Sequence, residues 1–365
     1  MGRRASTLEA RDGESVTARA SAATATTGSP PIAAASPRPT MKNVAEAAGV
    51  SLKTVSRVVN GESGVGVDTA RRVTDSIIRL GFRRNDVARS LRRSSAMLGL
   101  VIEDLANPFY SSIARAVEDV ARRRGYVVIT ASSEESPERE LELVATLLSR
   151  QVEGLLVVPA ARDHGYLLPE LAMGTRVVFL DRPPVGIEAD AVLLDDAGGA
   201  RAGVEHLLAQ GHRRIGVVGD PAGVYTIAER VRGYRSALAA WGVQVDEALL
   251  RLDAHDVAKA EASTRELLGL SDPPTALFTT NNRASVGALR ALGVAGARVA
   301  LVGFDDFELA DMLAVPVTVV RHEPADMGHR AAELLFARLT GDERPPQRIM
   351  LDTELVVRGS GEVPR

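Results

Sequence analysis

A group of basic, polar and apolar residues near the front of the chain has the composition of a surface that reads DNA. The group lies in the stretch VAEAAGVSLKTVSRVVNG, residues 44–61. Arg57 could donate two hydrogen bonds to a guanine edge, Lys53 could reach a base or a phosphate, and Leu52 could pack on a thymine methyl group. Short hydroxyl and amide side chains suit phosphate contacts, which position a protein without reading sequence. The stretch supplies three of them, Thr54, Ser56 and Asn60.

Two short helices that meet at Gly49 would hold these side chains in place. A glycine permits the tight turn that a Cβ atom would obstruct, and Ser51 is a natural N-cap for the second helix. The residues that helical spacing turns inward are Val44, Val50, Val55 and Val58. The pattern predicts a helix-turn-helix with its second helix in the major groove. An ordinary three-helix bundle is the alternative.

The charge of the chain also favours a polyanionic partner for this region. Residues 40–95 carry a net charge of +6, whereas residues 96–365 carry −11. A compact basic module on an acidic body is the electrostatic pattern of a nucleic-acid-binding domain. A solvated charged face would have the same composition, so charge alone does not decide.

Beyond residue 96 the sequence changes to apolar, strand-like runs that alternate with helical segments. The runs start at Met97, Tyr126, Gly154, Arg176, Arg214, Thr275 and Arg298. Near-continuous apolar strands separated by helices indicate parallel sheets covered on both faces. The stretch is too long for one small doubly wound sheet, so we expect two similar α/β halves with ligands at the carboxyl ends of the strands.

Other features narrow the class of protein. The chain has no cysteine, which fits a reducing cytosol, and it shows neither an apolar run of about 18 residues nor an apolar secretory segment near its start. We expect a cytoplasmic protein without a membrane span. The sequence lacks the phosphate-binding, nucleophile and zinc-hydrolase motifs, and its six histidines lack metal-ligand spacing. We therefore expect no enzyme, no cofactor and no metal site.

Several blocks together resemble the LacI/GalR, or lactose-repressor, family of bacterial transcriptional regulators. The blocks are NVAEAAGVSLKTVSRVVNG, NDVARSLRRSSAMLGLVIEDLANPFY, HLLAQGHRRIGVVGD, RVRGYRSAL, LVGFDD and ELVVRGS. They follow the family's order over residues 40–361. The resemblance implies an all-α helix-turn-helix headpiece, a hinge helix, and an α/β core of two doubly wound parallel-sheet subdomains like those of periplasmic sugar-binding proteins. It also implies a homodimer on a pseudopalindromic DNA operator.

The resemblance gives the segment ARSLRR the role of the hinge helix, which enters the minor groove. Leu91 matches a leucine wedged between the central base pairs, and Ala88 matches the small residue beside it. An apolar wedge unstacks a base step and kinks the duplex, and Arg92 could then contact nearby phosphates. Packing of one hinge against another is the alternative role for Leu91.

Six residues of the core match the family's effector site, namely Phe109, Tyr110, Asp181, Arg230, Asn281 and Asp305. The resemblance implies that the aromatic residues stack on the ligand and that the guanidinium holds ligand hydroxyls or a carboxylate. Together with the acids and the amide, they suit a sugar or another polyhydroxylated ligand. A structural ion pair is the alternative role for Arg230 and Asp305. The family commonly has aspartate where this chain has Asn282, which removes one charge near the pocket.

These features lead us to expect a transcriptional regulator, and specifically a repressor, whose operator affinity depends on a small ligand bound between the core subdomains. The alternative is a ligand-binding transport receptor with no role on DNA. The expected domains are a disordered tail at 1–39, a helix-turn-helix at 40–84, a hinge at 85–96 and a core at 97–361. Within the core, one subdomain would comprise 97–194 with 322–341, and the other 195–320 with 342–361.

Overall fold

The computed structural model describes residues 41–59, 65–80 and 96–364. The chain forms two compact units, with the division after Asp86, and the first unit is a three-helix headpiece. Its helices are α1 (Met41–Ala48), α2 (Leu52–Val59) and α3 (Val67–Leu80). The expected disordered tail at 1–39 and nearly all of the expected hinge at 85–96 lie outside the described residues.

A small apolar core holds the three helices together. Val44, Val55 and Val73 are fully buried, and Val50 and Val58 pack against them. The inward faces that helical spacing predicted are therefore the faces that the headpiece buries.

The turn between α1 and α2 has the geometry that its sequence predicts. Gly49 has a left-handed φ of +65°, which side chains with a Cβ atom disfavour. The side-chain oxygen of Ser51 accepts a hydrogen bond from the Thr54 N–H at 3.1 Å. The expected N-cap is thus confirmed, and it satisfies one of the free N–H groups at the start of α2.

The second unit contains two six-stranded sheets with equivalent strand orders. The first sheet has the order β11-β5-β4-β3-β1-β2 and is entirely parallel. Its strands are β1 (Met97–Ile102), β2 (Val127–Ser132), β3 (Gly154–Val157), β4 (Arg176–Leu180), β5 (Asp190–Leu194) and β11 (Arg348–Leu351). The second sheet has the order β12-β10-β9-β8-β6-β7, with the edge strand β12 antiparallel. Its strands are β6 (Ile215–Gly219), β7 (Leu250–Leu252), β8 (Ala276–Thr279), β9 (Ala300–Phe304), β10 (Thr318–Arg321) and β12 (Glu354–Val356).

Helices cover both faces of each sheet. Those of the first subdomain are α4 (Pro108–Arg123), α5 (Pro137–Ser149), α6 (Leu168–Ala172) and α11 (Pro324–Leu339). Those of the second are α7 (Asp196–Ala209), α8 (Tyr225–Ala240), α9 (Val257–Leu268) and α10 (Asn282–Ala295). Apolar clusters lie on both faces of each sheet, as the near-continuous apolar strand sequences predicted. The expected fold class, a helical headpiece and two doubly wound subdomains, is confirmed.

The last crossing between the subdomains differs from the expectation. The sequence placed it at residue 342, but β11 pairs in parallel with β5 of the first sheet, with Ile349 opposite Val192. The chain enters the second subdomain only after Leu351, because β12 begins at Glu354 and pairs with β10. The boundary at 342 was wrong because β11 is a short, half-exposed edge strand, without the continuous apolar run that marks a buried parallel strand.

Loops that follow the strands of both sheets meet in a common cleft. Asn107, in the loop after β1, accepts a hydrogen bond at 3.0 Å from Asn282, which begins the helix after β8. The carboxyl ends of the strands therefore line this cleft from both sides, which is where ligands bind in such sheets. Within the described parts of the chain, no helix has the length and apolar character needed to cross a bilayer.

Candidate functional site

Two adjacent aromatic residues form one wall of the cleft. Phe109 and Tyr110 lie in the first turn of α4, where Asn107 caps the helix by accepting a hydrogen bond from the Phe109 N–H at 3.1 Å. The two rings meet edge to face with centroids 4.7 Å apart, and the Phe109 ring lies 5.4 Å from that of His322. The Tyr110 hydroxyl donates to Glu103 at 2.9 Å. These contacts fix both buried rings in one orientation.

Asp181 places a buried carboxylate beside the aromatic wall. It directly follows β4 and is 3% exposed, with its Oδ2 atom 3.5 Å from the Tyr110 hydroxyl oxygen. Burial raises the pKa of Asp181, although the Arg182 guanidinium acts in the opposite direction. The other carboxylate oxygen, Oδ1, makes no hydrogen bond within the described part of the chain.

Arg182 joins several acceptors that sequence analysis did not single out. It donates to the Glu135 carboxylate at 2.9 Å and to the Pro159 carbonyl at 2.7 Å, and it lies 3.4 Å from Glu103 Oε2. Burial, with the neighbouring Glu135 carboxylate, raises the pKa of Glu103 to about 8. The cluster connects the ends of β1, β2 and β4, so it fixes the first subdomain's side of the cleft.

Arg230 occupies the other side of the cleft, on α8. Its Nε atom donates to Asp196 at 2.7 Å, and its Nη1 atom donates to the Thr280 carbonyl at 2.5 Å and lies 3.4 Å from Asp305. The guanidinium also lies over the Phe304 ring, 3.7 Å from its centroid. Arg230 is therefore in the cleft and in a buried ion pair at once, so the two roles weighed for it are not exclusive.

Asp305 and Asp196 flank Arg230 but differ in acidity. Burial works against ionisation of Asp305, yet Arg230 and His322 together lower its pKa; the His322 Nε2 atom is 3.2 Å from its Oδ1 atom. Burial raises the pKa of Asp196 to about 7, and Arg230 offsets only part of that effect. Asp305 is therefore the more acidic of the two carboxyl groups beside the guanidinium.

Asn281 has a different environment from the other five residues of the expected set. It caps α10, with Oδ1 accepting from the Ala284 N–H at 2.8 Å, while Nδ2 donates to Asp220 at 2.6 Å. Both polar atoms thus have partners on the second subdomain. The remaining five are joined through Tyr110–Asp181, Arg230–Asp305 and the His322 contacts.

Six buried polar atoms around the cleft make no hydrogen bond with any residue that the structure describes. They are Asp181 Oδ1, Arg182 Nε, Asp196 Oδ2, Thr280 Oγ1, Asn282 Oδ1 and His322 Nδ1. Asn282 Oδ1 only accepts, and the two carboxylate oxygens accept when their acids are ionised. The hydroxyl and the imidazole nitrogen can accept or donate, and Arg182 Nε only donates. Buried polar groups normally have partners, so this acceptor-rich surface suits a ligand with several donors. Sequence analysis missed Asp196, Thr280 and His322, although Thr280 and His322 directly follow strands and Asp196 lies two residues beyond β5.

The side chains of the headpiece that are expected to contact DNA differ in how exposed they are to solvent. Leu52 is 54% exposed and Lys53 is also exposed, whereas Thr54, Ser56 and Arg57 are half-buried. The exposed pair lies in the first turn of α2, the part of a recognition helix that contacts base edges. The other proposed contact residues lie outside the described residues, namely Asn60, Ala88, Leu91 and Arg92.

Family comparisons match both parts of the chain. The model for bacterial regulatory proteins of the lacI family matches residues 40–85, and the model for a periplasmic binding protein-like domain matches residues 204–361. The first match coincides with the headpiece and the second with most of the second subdomain and the C-terminal elements.

Two bacterial relatives match the chain over nearly all of their own length. The HTH-type transcriptional regulator CelR of Thermobifida fusca is 35% identical over 339 residues, which cover 89% of this chain and 98% of CelR. DegA of Bacillus subtilis, another HTH-type transcriptional regulator, is 30% identical over 334 residues, covering 88% and 97% of the two chains.

Solved structures agree with these matches. A CelR–cellobiose complex is 33% identical with a TM-score of 0.65, covering 88% of this chain and all of that chain. A lac repressor dimer bound to operator and the anti-inducer ONPF is 27% identical with a TM-score of 0.77, covering 89% and 99%. Since a headpiece and a regulator's core occur in one chain, a transport receptor is not supported. The chain belongs to the LacI family of bacterial DNA-binding transcriptional regulators.

Proposed function

We propose that this regulator acts in the cytoplasm as a repressor whose operator affinity is set by a neutral carbohydrate bound between its core subdomains. The proposed ligand-binding residues are Phe109, Tyr110, Asp181, Arg230, Asn281 and Asp305. The observation that carries the proposal is the acceptor-rich lining of the cleft beside two fixed aromatic rings. A polyhydroxylated ring offers both the donors and the apolar face that such a lining requires.

The charges around Arg230 favour a neutral ligand over a carboxylate. Its guanidinium is already flanked by Asp196 at 2.7 Å and Asp305 at 3.4 Å, and Asp181 adds a third buried acid nearby. A ligand carboxylate would have to approach these acids without an uncompensated cation to hold it. Sugar hydroxyls can donate to the same oxygens without that repulsion.

The relatives suggest which carbohydrate to test first. CelR has been solved with cellobiose, and its structure is 33% identical to this chain over nearly its full length. Cellobiose and other neutral β-glucosides are therefore the first candidates, and ribose is the second because a ribose operon repressor of Halalkalibacterium halodurans is 32% identical.

Isothermal titration calorimetry on the full chain tests the ligand class. We expect saturable binding of one neutral sugar and at least about tenfold weaker binding of the matched sugar acid, such as cellobionate against cellobiose. Tighter binding of the acid would contradict the proposal that the site selects a neutral ligand.

We also propose that residues 85–96 form the hinge that couples ligand and DNA. Ala88 and Leu91 would enter the minor groove, Arg92 would contact nearby phosphates, and α2 would lie in the major groove. A bound ligand would change the relative orientation of the two core subdomains. That change would alter whether the hinge helices of the two protomers can pair, and therefore how tightly the dimer binds its operator. The coupling free energy in such systems is typically about 1–3 kcal/mol and is reciprocal. Footprinting should reveal a roughly symmetric protected site, and operator titrations with and without the ligand should differ; equal affinities would contradict the coupling.

A further inference from the structure

The first turn of α10 makes two separate contacts with the opposite subdomain. Asn282 donates from Nδ2 to Asn107 Oδ1 at 3.0 Å. The next residue, Arg283, hydrogen-bonds Asp104 through Nη2, and its Nη1 atom lies 3.7 Å from Glu103. All the acceptors lie in the one loop that follows β1 of the first sheet, so both contacts bridge the cleft.

In the pair formed by Asn107 and Asn282, the amide donor of one faces the amide acceptor of the other. Asn107 Oδ1 already accepts from the Phe109 N–H at 3.1 Å, which caps α4. That cap orients Asn107 with its oxygen toward the cleft, so the partner must present a donor. Asn282 does so from a position that is only 5% exposed, whereas an aspartate there would place a second acceptor against the first.

The ion pair is anchored on the first subdomain. Asp104 Oδ1 accepts from the Ala106 N–H at 2.8 Å, which holds the carboxylate in place. This backbone hydrogen bond, followed by the Arg283 contact, lowers the pKa of Asp104, so the acid stays ionised at neutral pH. The Arg283 side chain is 26% exposed, so the pair is partly shielded from solvent and contributes modestly.

We propose that Asp104, Asn107, Asn282 and Arg283 form a clasp that stabilises the closed core before any effector binds. This role rests on the proposed function, because it concerns the same cleft. Contacts that form only in the closed state increase the fraction of molecules that are closed before ligand binds. If the closed state is the one that binds ligand, the apparent ligand affinity rises with that fraction. Arg283 is thus a positioning residue for the regulatory response.

Spin-label distances test the clasp without any carbohydrate. The chain contains no cysteine, so two engineered cysteines can be labelled specifically, at exposed Glu142 on α5 and exposed Ser236 on α8. Double electron–electron resonance on the full chain then reports the separation of the subdomains, and singly labelled protein identifies distances between protomers. We expect the short-distance population to fall about threefold or more in R283Q and in N282A. Distributions identical to wild type in both variants would overturn the proposal.

A double-mutant cycle separates the ion pair from general effects of mutation. D104N keeps an oxygen for the Ala106 N–H but loses the charge, so R283Q should add little in that background, whereas additive losses would refute a direct pairing. R290Q, at an exposed arginine on the same helix, is the control and should leave the distances unchanged. Because these distances are measured without sugar, they also separate failure of the clasp from failure of the carbohydrate proposal.

Discussion

Asp181 and Asp305 occupy equivalent positions in the two subdomains. Each directly follows a central strand, β4 or β9, each has a left-handed φ of +65°, and each donates its N–H at 2.9 Å to the next strand, to Val192 or Val320 respectively. A non-glycine residue in this conformation costs on the order of 1–3 kcal/mol, and such strain concentrates at functional sites. Each subdomain thus uses the same strained backbone conformation to place an aspartate carboxylate in the cleft.

Replacement of these two acids should have unequal effects, because their neighbours differ. Arg230 and His322 lower the pKa of Asp305, whereas burial raises that of Asp181. We expect D305N to weaken carbohydrate binding by about 1.5–3 kcal/mol, the usual value of hydrogen bonds to a charged group, and D181N to cost less. Calorimetry on both variants checks the order. A D181N loss larger than that of D305N would contradict this expected order.

Loss of the Arg230 guanidinium should abolish the ligand response and also destabilise the core. R230A leaves Asp196 and Asp305 buried without their cation, and breaking a buried pair typically costs about 3–5 kcal/mol. R230K retains a charge and should keep more stability while losing the forked contacts. Operator binding without ligand should survive in R230K. Urea unfolding and operator titrations measure the two effects.

The matched control for Arg230 is R232A, two residues further along α8. Arg232 is an exposed residue paired with Glu229 on its own helix, so its loss should change neither stability nor response appreciably. If R230K responded at the same ligand concentrations as wild type, the pocket assignment would be wrong.

Core stability should fall as pH rises, because two buried acids have raised pKa values. The pKa of Glu103 rises from 4.5 to about 8, and that of Asp196 from 3.8 to about 7. Between those limits the folded state binds more protons than the unfolded chain, so the free energy of unfolding decreases with pH and levels off above about pH 8. Urea unfolding across this range should show a shallower slope in E103Q. The exposed E118Q variant on α4 is the control, and a slope unchanged by E103Q would refute the role of Glu103.

Local signals in the sequence were sufficient for most helices and for seven strands, but the predicted runs did not include β5 and β10, which are internal strands of the two sheets. The turn at Gly49, the cap at Ser51 and the apolar runs at β1, β4 and β9 follow from residue chemistry over a few positions. β11 was missed because its pairing with β5 joins residues more than 150 positions apart, and its short sequence carries no strong signal of its own.

The cleft was only partly predictable for a similar reason. The resemblance located Arg230 and Asp305, but not Asp196 or His322, which complete their electrostatic environment. From the sequence, Asn282 was distinguished only by the absence of the charge that an aspartate would carry. In the structure its amide donates a hydrogen bond to the Asn107 side chain. These residues are far apart in the sequence and meet only where the two sheets face each other in the folded core. Short sequence patterns do not predict such contacts.

The two kinds of headpiece contact should be separable by mutation. If Arg57 makes a bidentate contact to one guanine, R57A should cost about 1–3 kcal/mol and relax sequence preference at that operator position only. Lys42, near the start of α1, is expected to contact phosphate, so K42A should weaken binding on all sequences alike and reduce the salt dependence by about one unit of slope. Titrations of an operator and its single-base variants at several salt concentrations measure both effects. A uniform loss in R57A, with no change in preference at any position, would contradict the proposed base contact.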